Sequence, residues 1–290
     1  MCYNVTILFK GVSLMSYPKI LTIQDISCVG QCSLTVALPI LSACGIETAI
    51  LPSAVLSTHT AGFSGFTFRD LTEDMPGIKA HWLKEGIAFD AIYTGYLGST
   101  EQIAIVADFF RETGKPNCVK IMDPAMADNG KLYPAFDGAF VEAMKGLCKE
   151  ADFVVPNITE ACFLTGVDYR TEYDRAYIDS LLQGLTDLGC KNVVLTGVSY
   201  APGKTGVVVL ENGVYAYYEH DRLSNSCHGT GDIYASAFVG ALVRGNTAYD
   251  AARIAADYTV ECIKETAKHD NHWYGAAFEP VLMKLIQALN

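Results

Sequence analysis

Residues 19–51 read KILTIQDISCVGQCSLTVALPILSACGIETAIL, and the fold follows from them. Residues 19–23 form a short apolar run of strand length. Residues 33–44 are apolar over helix length, with Gly45 placed as a stop after the last turn. Residues 47–51 make a second apolar run of strand length. A strand, a helix and a strand in that order open an alternation that continues down the chain.

Further strands are expected at 91–94, 119–122, 153–155 and 193–196. Helices are expected at 101–112, 136–148, 160–164 and 173–188. Strand alternating with helix over this length predicts an α/β fold, a mostly parallel central sheet covered by helices on both faces. Residues 205–210 and 214–219 flank Glu211-Asn212-Gly213, the signature of a hairpin with an Asn-Gly turn, which breaks the alternation near the sheet edge. Three helices follow at 232–243, 249–264 and 278–289. With no long linker, low-complexity tract or repeat, residues 15–290 are expected to form one domain.

Composition narrows the function. Half of the 290 residues are hydrophobic and 18% are charged, enough apolar material for a large core. A formal net charge of −11 argues against nucleic acid, whose phosphates are bound by Lys and Arg surfaces. It leaves a nucleotide substrate open, because backbone N–H groups and a metal ion can hold a triphosphate. The ten cysteines are scattered without a C-x-x-C pair, so reduced thiols of a cytoplasmic protein are expected rather than a zinc ribbon or disulfide scaffold. The apolar run at 5–9 is too short for a membrane span and lacks the charged flank of a secretory signal. Residues 1–14 read as an extension or a mis-called start before Met15.

The strongest local motif is Gly229-Thr230-Gly231-Asp232, directly before the apolar run from Ile233. Glycines at a helix entrance let backbone pass close to a ligand, and the first N–H groups of a helix point outward unpaired. Such an entrance suits the spread negative charge of a phosphoryl group. Asp232, in the first turn, is placed to accept a hydroxyl proton. A helix N-terminus should stabilise its charge, which makes a weak base. The same residues also fit an ordinary helix start with no ligand. Gly203-Lys204-Thr205 imitates the end of a P-loop, but the first glycine is out of register and the segment leads into a strand.

A second group is acidic. Asp123 ends a strand, Asp128 follows in a glycine-containing loop, and Asn157 and Glu160 open a helix after another strand. Ligands of open parallel sheets bind beyond the carboxyl ends of the strands, so these residues could meet Asp232 there. Asn157 and Glu160 alone read as a cap and its partner in a capping box. Residues 94–99 (Thr-Gly-Tyr-Leu-Gly-Ser) set Tyr96 between glycines, where it could stack on a flat ring or simply pack a loop. His59 reads as structural.

In order, Gln24 after Ile23, Ser57-Thr58-His59-Thr60, residues 94–99, Asp123-Pro124, Pro156-Asn157 with Glu160, and Gly229-Thr230-Gly231-Asp232 resemble the pyridoxal kinase group of the ribokinase-like superfamily. The resemblance runs from Lys19 to about Lys264. It implies a three-layer α/β/α fold, commonly homodimeric, that phosphorylates a small alcohol with ATP and Mg²⁺. Asp232 would be the general base, and Gly229, Thr230 and Gly231 the anion hole. Asp123 and Glu160 would serve the metal. Asp128, Asn157, Thr196 and Leu223 would serve the nucleotide, and Asp25, Thr60 and Tyr96 the acceptor ring. The implied reaction is phosphorylation of the 5′-hydroxymethyl group of pyridoxal, pyridoxine or pyridoxamine.

Asp25 stands where pyridoxal kinases usually carry Ser, which would alter ring preference toward a protonated pyridine or an aminopyrimidine. Hydroxymethylpyrimidine is therefore the alternative acceptor. Cys227, beside the glycine motif, fits either a spacer or a thiol that adds reversibly to an aldehyde. A non-catalytic vitamer sensor and a sugar or nucleoside kinase are the readings from other classes; the intact glycine motif speaks against the first, the Tyr96 segment against the second.

Overall fold

The computed structural model describes residues 17–224 and 227–290; the expected extension, 1–14, lies outside them. Strand β1 (Lys19–Ser27) leads through α1 (Leu34–Ala43) to β2 (Glu47–Leu56), on which β3 (Phe68–Asp70) folds back. Next come α2 (Met75–Lys84), β4 (Phe89–Thr94), α3 (Thr100–Glu112) and β5 (Gly114–Met122). A small hairpin, β6 (Ala127–Asp128) and β7 (Lys131–Leu132), precedes α4 (Gly138–Cys148), β8 (Phe153–Val154), α5 (Ile158–Thr165) and α6 (Arg175–Leu188). After β9 (Val193–Val198) come the hairpin strands β10 (Lys204–Glu211) and β11 (Val214–Asp221). Three helices end the chain, α7 (Thr230–Val243), α8 (Ala248–Thr266) and α9 (Leu282–Ala288).

The nine-stranded sheet has the order β11-β10-β9-β8-β5-β4-β1-β2-β3. Its six central strands, β9 to β2, run parallel, while β10, β11 and β3 are antiparallel edges. Parallel strands put all their carboxyl ends on one edge, and that edge carries the candidate site. Side chains alternate across the sheet with period two. On β1, Leu21 and Ile23 join the core beneath α3, α4, α5 and α6, whereas Ile20 joins the core beneath α1, α7, α8 and α9. The expected three-layer α/β/α arrangement is what the chain forms.

Several elements differ from the sequence reading. β1 runs on to Ser27, so Gln24 and Asp25 lie inside a strand, at a register shift against β2. Their polarity hid them, yet both are buried with local partners: Gln24 Nε2 donates to Thr22 Oγ1 at 3.0 Å and Ser27 Oγ to Asp25 Oδ2 at 3.2 Å. Helix α2 went unanticipated because only Met75 of its residues is buried. The last expected helix starts as a 3-10 turn, Glu279–Val281, around Pro280 before α9. Of Gly203-Lys204-Thr205, read as a turn, only Gly203 lies in the turn, while Lys204 and Thr205 begin β10.

Candidate active site

Helix α7 is apolar on nearly every face, because the sheet lies beneath it and α1 and α8 flank it; ten of its residues are buried. Such a helix is a rigid mount for its first turn. Gly229 is its N-cap in the left-handed region, φ 78°, with no side-chain cap on the helix. A Cβ at Gly229 would lie 1.9 Å from Gln31 O, so no other residue fits without displacing that backbone. A Cβ at Gly231 would meet nothing within 4 Å. There is open space beside Gly231, and the first N–H groups of a helix have no partners within it, a setting that suits an oxyanion.

Asp232 departs from expectation. Removal from water pushes its carboxyl up to about 7, with the charge of Asp25 adding to the rise, while the Ser33 N–H donates to it and opposes the rise. Loss of hydration outweighs the helix N-terminus in setting its proton affinity.

The acidic residues gather on the same edge. Asp123, buried at the end of β5, is raised by burial and by the charge of Asp232. Glu160 is raised by burial and by Asp123. The capping box is present: Asn157 Oδ1 accepts from Glu160 N at 2.9 Å, and Glu160 Oε2 from Asn157 N at 2.8 Å. Glu160 Oε1 also accepts from Met126 N at 3.2 Å. Both oxygens of Glu160 are thus engaged by backbone, which leaves Asp123 the freer ligand. Asp128, exposed at the β6–β7 turn, accepts from Asn129 N at 2.8 Å and from Asn129 Nδ2 at 2.9 Å.

Among the described residues no three His, Cys, Asp or Glu side chains close into a metal cage. Buried carboxylates that raise one another nevertheless fit a hydrated divalent cation such as Mg²⁺, which keeps several waters and takes few protein oxygens. Thr196, within β9, pairs with Asn157 through a parallel bridge, and its N–H donates to Pro156 O at 2.9 Å. Leu223 is partly buried just beyond β11.

On the other side of Asp232, Asp25 is 5% exposed and raised by burial, with Ser33 and Ser27 hydroxyls and the His59 ring acting against the rise. Tyr96 is pushed up to about 12 by burial and then by the charge of Asp25. Its ring lies 5.5 Å from that of Phe136. Thr60 is exposed in the loop after β2.

The sheet order thus arrays the residues along one edge. Thr196 and Asn157 come first, then Asp123, then Tyr96 beyond β4, Asp25 on β1 and Thr60 beyond β2, with Asp232 projecting from α7 against the middle. The sequence reading passes over Ser33 and takes His59 as structural. Ser33 has φ 55°, a conformation rare outside Gly, Asn and Asp, and serves both Asp25 and Asp232. Nothing local marks it except its place one residue before α1. His59 is buried and fixed as one tautomer: its Nδ1 accepts from Ala61 N at 3.1 Å, so Nε2 carries the proton donated to Tyr274 O at 2.7 Å.

Comparison with known proteins places these features. The model of the phosphomethylpyrimidine kinase family matches residues 40–277. A crystal structure from Bacteroides thetaiotaomicron, provisionally described as a phosphomethylpyrimidine kinase, is 37% identical, with TM-score 0.89 over 95% of this chain and 96% of that one. An orthorhombic form of it contains pyridoxal. Pyridoxal kinase from Lactobacillus plantarum is 31% identical, with TM-score 0.86 over 93% of this chain and 97% of that one. Pyridoxal kinase of Dictyostelium discoideum is 27% identical over 79% of this chain and 80% of its own length.

Proposed function

The chain belongs to the phosphomethylpyrimidine kinase family of the ribokinase-like superfamily, phosphotransferases that act on an alcohol, and from that premise we propose that it phosphorylates a vitamin B6 vitamer with ATP. The observation that supports this reading is Asp232, buried in the first turn of α7 behind an entrance with no side-chain cap, raised to about 7 and within the electrostatic reach of Asp25.

The acceptor ring lies against Tyr96 with Asp25 at its polar edge, and its hydroxymethyl group reaches Asp232. Asp232 takes the hydroxyl proton as the oxygen attacks the γ-phosphorus in line. The N–H groups of Gly229, Thr230 and Gly231 hold the charge on the transferring group. Asn157, Thr196, Asp128 and Leu223 line the nucleotide half. Asp123 directly, and Glu160 through water, would hold Mg²⁺, which neutralises phosphate charge when bound.

A buried carboxylate at position 25 is an acceptor for a protonated pyridine N–H or for an exocyclic amine, so hydroxymethylpyrimidine is the second reading. ADP release with saturating Mg·ATP and varied concentrations of pyridoxal, pyridoxine, pyridoxamine or hydroxymethylpyrimidine separates the two. Preference for a B6 vitamer in kcat/KM supports the proposal. Preference for the pyrimidine would move the enzyme to thiamine-precursor chemistry.

A further inference from the structure

Three loops of the acceptor half are held by one segment from far along the chain. Residues 28–33 follow Asp25, residues 57–63 contain Thr60, and residues 227–229 lead into the glycine motif. Segment 272–277 touches all three. Tyr274 O accepts the Nε2 proton of His59 at 2.7 Å. Ala276 N donates to His228 O at 3.1 Å. Gly275 presses so closely on Gln31 that a Cβ there would lie 2.3 Å from Gln31 Oε1 and 2.8 Å from Gln31 N.

Rings continue the contact outward. His228 and His59 have centroids 5.7 Å apart, His59 and Phe63 5.0 Å, and Phe63 and Trp273 4.6 Å. The chain of rings runs from the glycine motif to solvent, where Trp273 is 53% exposed. Polar atoms are left over beside it. Gln31 Oε1, Thr58 Oγ1 and His272 Nε2 are closed off from solvent without a protein partner, a hydrogen-bonding capacity that a native site satisfies with ligand or water. Asp25 feels the His59 ring, which puts this assembly on the acceptor side of Asp232.

We propose that segment 272–277 is the outer wall of the acceptor pocket, with the His59–Tyr274 hydrogen bond as its latch and the Phe63–Trp273 pair as its mouth. His59 is a positioning residue: it ties the Thr60 loop to the loop that carries Gly229. The segment selects the flat heteroaromatic alcohol and leaves the nucleotide half alone. This rests on the assignment of Asp25, Thr60 and Tyr96 to the acceptor.

The full-length protein tests it. The chain has two tryptophans, and Trp82 is packed against Phe89 and Phe109 on the far face, so a Trp82→Phe background reports Trp273 alone. Pyridoxal should change Trp273 emission with a midpoint near its KM, while Mg·ATP alone leaves emission unchanged. Trp273→Ala and Gly275→Val should raise the pyridoxal KM about tenfold with the ATP KM within about twofold, as loss of binding contacts to one substrate does. His59→Ala should do the same, and His59→Gln, which keeps one donor and one acceptor, should restore most of the loss. Equal effects on both KM values, emission blind to pyridoxal, or a His59→Gln protein as impaired as His59→Ala would overturn the latch while wild-type turnover on pyridoxal still stands. A wild-type protein inactive on pyridoxal removes the functional reading and the wall with it.

Discussion

Burial sets the working range of Asp232. With its carboxyl at about 7, close to half of the molecules carry it ionised at neutral pH, and only that form accepts a proton. The wild-type kcat/KM should therefore rise with pH through about 7 and fall steadily below it, read from ADP release across pH 5–9. Stability should move the opposite way. A carboxyl raised above its unfolded value binds its proton more tightly in the folded state, so folded stability is greatest in acid and declines as pH climbs from about 4 to about 7. Asp123 and Glu160 act in the same direction. Calorimetry of the ligand-free protein should show Asp232→Asn melting higher than wild type at pH 8, with a smaller gap at pH 5. A variant that melts lower at pH 8 would mean that Asp232 is not strained by burial. A helix N-terminus is visible in a motif and desolvation is not, so sequence alone could not anticipate the upward shift of Asp232.

Elements place these residues, and their ends matter more than their middles. Short apolar runs revealed the six parallel strands, since a strand buried on both faces leaves no polar register to misread. The ends were harder. β1 passes through Gln24 and Asp25 to Ser27, which carries the acceptor-side carboxylate on a strand and not on a loop. The start of α5 was half legible: the Asn157–Glu160 capping box is a local motif, yet the helix expected at 160–164 runs from Ile158 to Thr165. Asn157 does more than cap: its Nδ2 donates to Ala127 O at 2.9 Å and ties α5 to the β6–β7 hairpin that presents Asp128. Asn157→Ala should lower stability by about 1 kcal/mol, the scale of a lost N-cap. It should also raise the ATP KM more than the acceptor KM, since both ends of that bond border the nucleotide half. Thermal melts and paired KM measurements check the two parts; a pure stability loss with both KM values unchanged would confine Asn157 to capping.

At the scale of the whole molecule, the sheet order turns a dispersed set of residues into one row, from Thr196 through Asp123 to Thr60. The order of the motifs along the chain revealed which residues belong together, because parallel strands put their carboxyl ends on one edge whatever lies between. What could not be read was any contact made by tertiary packing alone. Ser33 reaches two carboxylates through an unusual backbone conformation, and the partner of His59 is Tyr274, more than two hundred residues away, in a segment with no motif of its own. Among the described residues no helix is long and apolar enough to cross a membrane. The nine described cysteines are all free thiols.

In the proposed mechanism Asp232 removes the proton from the acceptor hydroxyl during transfer. Single-turnover transfer of the γ-phosphate from ATP to pyridoxal, with enzyme in excess, isolates that step from binding and product release. Asp232→Asn should bind ATP as tightly as wild type and slow the transfer by about 10²-fold or more, the scale of a lost general base. Transfer at near the wild-type rate in that variant would contradict the account, and would assign proton removal to another group or to solvent.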